Sequence, residues 1–595
     1  MRFLMWAVLI TAFLSWVSSQ SADVLPGVCS RADRAALLGF KAGIVKDTTG
    51  FLSTWTGADC CGGGWEGVEC GGVGGRVTRL ILQRPAAGSD DVVYMKGVLS
   101  PSLGNLRFLE IMVISGMKRI AGKIPDSFSN LTRLTQLVLD DNSLQGNVPS
   151  SLGQLRNLQT ISLSGNHLTG QVPAALGGLR NLLQLNLGKN FLTGPIPPAT
   201  ANLRGLQSLD LSFNSLSGSV PDFLGELKNL TYLVLSSNRF SGQIPNSLCG
   251  LTQLSELSID QNQLVGRIPA QIGSLKAVSV LRLSSNKLTG EIPEAISQLQ
   301  NLWNLNLSRN LLSNPLPDAA FGRGLPSLLS IDLSYNGLDL RTVPSWIRNR
   351  ELSDVHLAGC KLRGALPKFA KPDSLSTLDL SDNYFTNGIS DFLENMTSLQ
   401  RAKISNNLLS SDLSSIRLPD QISVLDLHSN QLFGSLSGIL SNKTSKFLEV
   451  IDVSNNKISG SIPDFGTVLN LKVLNLGSNK IAGHIPSSIS NPAKLERLDI
   501  SRNQIAGTIP PSLGSLLKLQ WLDLSINGLT GKIPDSLLGI EALRHASFRA
   551  NRLCGEIPQR RPFNVFPAAA YAHNLCLCGK PLPPCKGKDN RKMGQ

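Results

Sequence analysis

Leu134-Thr-Gln-Leu-Val-Leu-Asp-Asp-Asn142-Ser-Leu-Gln-Gly-Asn-Val-Pro149 is followed, 24 residues later, by Leu158-Gln-Thr-Ile-Ser-Leu-Ser-Gly-Asn166-His-Leu-Thr-Gly-Gln-Val-Pro173. The same LxxLxLxxNxLxGxIP pattern places Asn at 190, 214, 238, 262, 286 and 310, each 24 residues after the last. It continues at Asn336, at Cys360 in the Asn slot, and at Asn383, Asn407, Asn430, Asn456, Asn479, Asn503, Asn527 and Asn551. Two irregular copies, around Leu80 and Ile114, precede the series and bring the total to about twenty. At 595 residues the chain would otherwise be expected to form about four globular units. A fixed period of this length replaces that expectation with one stack of repeats.

The residue types explain the stack. Apolar residues alternating in LxLxx point one way from a short strand, so each coil supplies one strand with its apolar side inward. One coil cannot bury that side alone, and neighbours must cover it. The Asn side chain carries donors and an acceptor and can satisfy backbone groups where the strand turns away, which makes it structural. The second half of the coil is Gly-x-Ile-Pro or a close variant, as at Gly122 to Pro125, Gly242 to Pro245, Gly483 to Pro486 and Gly531 to Pro534. Gly allows the bend and Pro fixes φ in the following segment. Between Asn383 and about Leu440 the Pro lapses, in Gly388-Ile-Ser-Asp, Ser410-Ser-Asp-Leu and Gly434-Ser-Leu-Ser, a local irregularity. The expected fold is an α/β-type solenoid, a plant-type leucine-rich repeat superhelix with a parallel concave β-sheet and disulfide-bonded caps. At about 4.8 Å per strand, the sheet would run on the order of 90 Å along its arc.

The ends read differently. Arg2, the apolar run Phe3 to Val17 and the small Ser18 and Ser19 have the form of a signal peptide, 1–19, too short to span a bilayer. No second run is as apolar, and Lys586 to Gln595 is polar and basic, so a secreted, extracellular chain without a membrane span is expected. Sequons at Asn130, Asn229, Asn306, Asn395 and Asn442 fit that route. The remaining segments are an N-terminal cysteine-paired cap (20–76), the solenoid (77–553), and a C-terminal cysteine-paired cap with a basic tail (554–595). In the first cap, Ser30-Arg-Ala-Asp33 has the form of a capping box, and Leu37, Phe40 and Ile44 are expected on one helical face. Each cap holds four cysteines: Cys29, Cys60, Cys61 and Cys70, then Cys554, Cys576, Cys578 and Cys585. Spacing alone allows three connectivities for each set. Cys249 and Cys360 are left over, 111 residues apart, and are expected as buried free thiols; no spacing suggests a metal site.

Cys29…Ala36-Leu-Leu-x-Phe40-Lys41…Trp55…Cys60-Cys61…Trp65-x-Gly67-Val68-x-Cys70 resembles the N-terminal cap of plant extracellular leucine-rich repeat proteins. Asn551-Arg-Leu-Cys-Gly555 and Tyr571-Ala-His-Asn-Leu-Cys-Leu-Cys-Gly-Lys-Pro-Leu-Pro-Pro-Cys585 look like the end of polygalacturonase-inhibiting proteins and their secreted relatives. The resemblance implies the pairs Cys29–Cys60, Cys61–Cys70, Cys554–Cys576 and Cys578–Cys585. Repeat number departs from the inhibitors, being roughly twice theirs, and is similar to the ectodomains of plant receptor-like proteins and kinases.

Charge and chemistry narrow the function. The chain is 42% hydrophobic and 16% charged, with 55 Gly and 32 Pro that come largely from the repeat. The formal charge of +14 is spread along the sequence and gives no nucleic-acid signature; retention on acidic pectin would suit it. The six His are dispersed, without HExxH spacing, Gly62-Gly-Gly-Trp65 lacks the Lys and Ser/Thr of a phosphate loop, and kinase signatures are absent. No enzyme, cofactor or metal is expected. Specificity should lie on the concave strands. Six before each Asn, the earlier repeats carry mostly polar residues, whereas the later ones read Arg401, Val424, Val450, Val473, Arg497, Trp521 and His545. Beside them, four before each Asn, stand Lys403, Asp426, Asp452, Asn475, Asp499 and Asp523. An apolar stripe with Arg and Trp, bordered by charge, suits recognition of a protein or peptide. Arg401-Ala-Lys403 is similar to the Arg-x-Arg pair with which some plant peptide-receptor kinases hold a ligand's terminal carboxylate, with Lys replacing the second Arg. Two functions are expected to compete: recognition of an extracellular protein or peptide, with a membrane receptor kinase as a possible partner, and stoichiometric inhibition of a microbial enzyme such as polygalacturonase.

Overall fold

The structure, a computed structural model, describes residues 29–71, 74–84, 93–440, 446–466 and 470–585. The signal-peptide expectation, the sequon at Asn442 and the basic tail lie outside those residues. The chain divides into two compact units between Ser217 and Gly218.

One coil of the first unit shows how the repeat folds. Thr160–Ser162 is a three-residue strand, the chain turns at Asn166, His167–Thr169 forms a second short strand, and Pro173 leads into the 3-10 turn Ala174–Gly178. Ile161, Leu163, Leu168, Leu176 and Leu179 all point inward and are buried. Each such side chain contributes about 1.5–3 kcal/mol by leaving water, and a coil standing alone could not provide that burial. The strand Thr160–Ser162 pairs in parallel with Gln136–Val138 on one side and Gln184–Asn186 on the other. Residues one period apart therefore sit side by side.

The Asn slot binds successive coils. Asn190 donates from Nδ2 to Leu163 O in the preceding coil (2.9 Å) and to Leu187 O and Gly188 O in its own (3.2 and 3.0 Å). Its Oδ1 accepts from Leu168 N at 3.0 Å. The residue before the Asn takes left-handed backbone even where it is not glycine, with φ of 52° at Lys189 and 55° at Ile526. Cys360 makes only long sulfur contacts to Leu333 O (3.6 Å) and Ala358 O (3.7 Å). It offers no amide oxygen to Leu338 N, although the equivalent Leu312 N donates to Asn336 Oδ1. In the next coil Asn383 Oδ1 accepts from Cys360 N (3.1 Å) in addition to the regular bond from Leu362 N (2.9 Å).

In the first unit the main sheet begins with an antiparallel pair, Val68–Gly71 and Arg76–Gln83, and continues in parallel through Ile111–Ser115 to Ser208–Asp210. A second sheet joins Ile44–Asp47, Met95–Val98, Lys118–Gly122, Ser143–Asn147 and His167–Thr169. The cap is sealed by Trp55 stacked on Trp65 (5.4 Å between centroids) against Phe40. Their indole nitrogens donate to Glu66 O and Thr56 O. Cys29–Cys60 and Cys61–Cys70 are joined there.

Two local expectations fail in this cap. The Ser30 side chain makes no capping bond to the helix Arg31–Ala42. Asp33, fully buried, instead takes Arg76 through two bonds (2.8 and 2.9 Å) and Val77 N (2.9 Å). A bidentate guanidinium from the first strand is the stronger partner, so the carboxylate turns to the sheet. Ile44 does not share the helical face of Leu37 and Phe40, because the helix stops at Ala42 and Ile44 opens a strand.

In the second unit the parallel sheet runs from Tyr232–Val234 to His545–Ser547. Its outer side is built mainly of 3-10 turns, with α-helical turns at Asp318–Arg323 and Ser345–Arg348. The end is closed by Phe548 stacked on Tyr571, with Phe563 beside them, and by the bonds Cys554–Cys576 and Cys578–Cys585. Cys249 and Cys360 are buried and free, and burial pushes their thiols up to about 11 and about 12.

Asp140 makes folding depend on pH. Burial raises its carboxyl from 3.8 to about 6, against the bonds it accepts from Ser162 Oγ and Ser164 N. With the folded value above the unfolded one, the stabilising contribution is full below the unfolded value and lost as pH rises through about 6. The loss amounts to about 3 kcal/mol. Melting curves at about pH 4 and about pH 7.5 should show the wild type losing more stability than Asp140→Asn; parallel losses would refute the assignment.

Candidate functional site

Strand pairing brings the sequence-selected positions into rows on the second unit. Arg401, Val424, Val450, Val473, Arg497, Trp521 and His545 are consecutive cross-strand partners, each beside the next. Lys403 lies in the adjacent row, continued by Asp426, Asp452, Asn475, Asp499 and Asp523. The middle residue of every one of these strands is buried, which turns its two neighbours to the open face.

The two ends of the row differ. Arg401 and Lys403 are exposed, and Arg401 Nη2 donates to Thr377 Oγ1 at 3.3 Å. At the far end, the His545 imidazole stacks on the Trp521 indole with 3.6 Å between centroids, and the Arg497 guanidinium lies over that indole at 4.7 Å. Three flat groups from three successive strands thus form one continuous stack, with the indole between the imidazole and the guanidinium. Trp521 Nε1 is buried with no hydrogen-bond partner. Val424, Val450 and Val473 carry the apolar surface from this stack back towards Arg401, half-buried throughout.

The acidic row is partly turned inward. Asp452, Asp499 and Asp523 each accept both the N–H and the hydroxyl of the Ser two residues on. Asp452 also accepts from Asn475 Nδ2 (2.9 Å). Burial raises the Asp499 carboxyl above its ordinary value despite its bonds from Ser501. Asp426 pairs with His428 Nδ1 at 2.6 Å, and this bond raises the histidine above its ordinary value. The sequence reading placed these carboxylates as a charged border and missed their anchoring, because their partners are set by rotamer.

The sequons occupy two settings. Asn130, Asn229 and Asn395 are exposed on the approach to a strand, whereas Asn306 lies within the strand Asn304–Asn306 and is half-buried.

A second feature escaped sequence reading. In the first unit Arg107, Arg156, Arg180 and Arg204 each stand two residues beyond a 3-10 turn, and Arg133 stands three beyond. All five are exposed. Asn157 Nδ2 to Thr132 O (2.9 Å) and Asn181 Nδ2 to Arg156 O (3.0 Å) tie the backbones of this edge together. Charge that is diffuse in sequence becomes a row with about 5 Å between coils.

The leucine rich repeat N-terminal domain model matches residues 30–71, and leucine rich repeat models match segments from 133–155 to 518–540. The fold is similar to the ectodomain of the plant membrane receptor kinase GASSHO1/SCHENGEN3 of Arabidopsis thaliana (31% identity, TM-score 0.71, covering 88% of this chain and 65% of that one). The chain is a plant extracellular leucine-rich repeat protein. This leucine-rich repeat protein is also similar to the Arabidopsis receptor kinase HAESA, solved with the peptide hormone IDA and the co-receptor SERK1 (28% identity, TM-score 0.60, covering 92% of this chain and 98% of that one). The GASSHO1/SCHENGEN3 ectodomain was solved in complex with CASPARIAN STRIP INTEGRITY FACTOR 2. In sequence, the receptor-like protein EIX2 of Solanum lycopersicum is 33% identical over 143 residues, 23% of this chain and 13% of that protein. The chain spans no more than 32% of the length of the curated relatives it matches. Among the described residues, no helix is long and apolar enough to cross a membrane.

Proposed function

We propose that this protein is an extracellular recognition module, acting in signalling or defence, that binds a protein or peptide on the open face of the second unit's main sheet. The observation that carries this reading is the Arg497–Trp521–His545 stack continued by three valines. Arg and Trp dominate binding hot spots, and an indole held flat loses little conformational freedom when it is covered. The likeness to HAESA, solved with a peptide hormone, supports a peptide as the class of ligand. Receptor kinases of that kind are the proposed signalling partners, with Arg401 and Lys403 supplying charge for an acidic ligand group. Proteins of apoplastic fluid retained on the immobilised wild type but not on Trp521→Ala would identify the ligand. Equal retention on both would end the assignment. The inhibitor reading draws on the C-terminal cap alone, and a panel of fungal polygalacturonases that keep full activity with the protein added would remove it.

The arginine edge favours a second association, with the acidic pectin of the cell wall. Arg107, Arg156, Arg180 and Arg204 repeat at one position of successive coils, with Arg133 one residue further on, and all five are exposed. A linear polyuronate can follow such a row and give its carboxylates to successive guanidinium groups. Reversing Arg156 and Arg180 to Glu should weaken retention on polygalacturonate by roughly tenfold at low salt. High salt should weaken the wild type in the same way. Retention that survives both changes would exclude this edge.

A further inference from the structure

We infer that Asn306 carries an N-linked glycan that stands on the open face of the sheet and confines the ligand to the strands that follow. Asn306-Leu-Ser308 meets the acceptor requirement. Asn306 Oδ1 accepts from Ser308 N (3.0 Å) and Ser308 Oγ (2.7 Å). Those bonds aim Nδ2 away from the backbone, and Nδ2 reaches solvent with no protein partner among the described residues. Asn475, in the equivalent position, differs on both counts. It is followed by Leu-Gly, and its Nδ2 is committed to Asp452 and Ser454. The cross-strand neighbours of Asn306 are Arg282 and Asp332, and the small Ser284, Ser308 and Ser334 two residues further along these strands are buried.

The amide nitrogen of Asn306 bonds to the anomeric carbon of an oligosaccharide presented as its polyprenyl diphosphate. The carbon–oxygen bond to the diphosphate breaks, polyprenyl diphosphate leaves, and the amide gives up one proton. An attached glycan is bulky and hydrated, so the strands around Asn304–Asn306 cannot be covered by a protein surface. The row from Arg401 to His545 stays clear. This partition rests on the recognition reading above; occupancy of Asn306 does not.

The test uses the full chain secreted from plant cells. After treatment with an amidase that cleaves the asparagine–sugar bond, the Asn306 peptide should be recovered as Asp, and Ser308→Ala, which keeps Asn306 but removes the sequon, should yield unmodified Asn. An unmodified Asn306 in the wild type overturns the inference whatever the ligand proves to be. Hydroxyl-radical labelling of the folded proteins then locates the glycan. Trp303, 40% exposed and three residues away, should label severalfold more in Ser308→Ala and in Asn306→Gln than in the wild type, and Trp521 should not change. Equal labelling of Trp303 in all three would show that the glycan leaves this face open, and the partition would fall.

Discussion

Asn407→Ala should lower the stability of the second unit by about 3 kcal/mol or more. Asn407 Nδ2 donates to Leu380 O (3.0 Å), Ile404 O (3.3 Å) and Ser405 O (3.0 Å), while Oδ1 accepts from Phe385 N (3.0 Å). The residue is buried, and so is Phe385. Alanine leaves four backbone groups without this partner, and a buried group stranded in that way costs about 1–3 kcal/mol. Water entering the small void would lower the total for the carbonyls, but the inward Phe385 amide has least access to it. Because each coil depends on its neighbours, the loss should spread to the adjacent coils. The measurements are a denaturant midpoint and hydrogen exchange at Phe385 and its neighbours; an unchanged midpoint with unchanged exchange would contradict this account. The converse holds at Cys360, where the thiol makes only long contacts and Asn383 already accepts two bonds. Cys360→Asn should raise stability by about 1 kcal/mol by giving Leu338 N an acceptor.

Trp521→Ala should weaken the retained ligand by about thirtyfold or more, the equivalent of about 2 kcal/mol at a hot spot. The substitution removes the middle of the stack, so Arg497 and His545 lose their shared surface together. Arg497→Glu should act in the same direction, because it removes the guanidinium from the indole face and sets a second negative charge beside Asp499, whose carboxyl is already raised by burial. The melting temperature of both variants should stay close to that of the wild type, since these side chains lie half-buried on the open face of their strands and the leucine core beneath is untouched. Affinity unchanged in titration calorimetry, with the fold intact, would move the binding site elsewhere on the protein.

The cap shows where reading residues in isolation fails. Ser30 and Asp33 have the spacing of a capping box, yet Asp33 is taken by Arg76, 43 residues further on. Local propensity is worth about 1 kcal/mol at a helix end, and a buried bidentate ion pair outweighs it. Ile44 fits a helical face by spacing, but the backbone turns at Gly43 and carries it into a strand.

The sequence by itself determined the coil: leucines at fixed spacing must be buried, an Asn in every turn can satisfy the backbone there, and four cysteines lie at each end. These are properties of one period, and each repeat states them again. It also brought the later rows into view, because a 24-residue period tells which residues become neighbours. Only the tertiary structure decided what those neighbours do. Trp521 is flat against His545 and under Arg497, three aspartates are turned to serines while Asp426 meets His428, and five arginines share one edge of the first unit. Rotamers and coil-to-coil contacts depend on groups a full turn away, and that dependence is what a one-dimensional pattern leaves open.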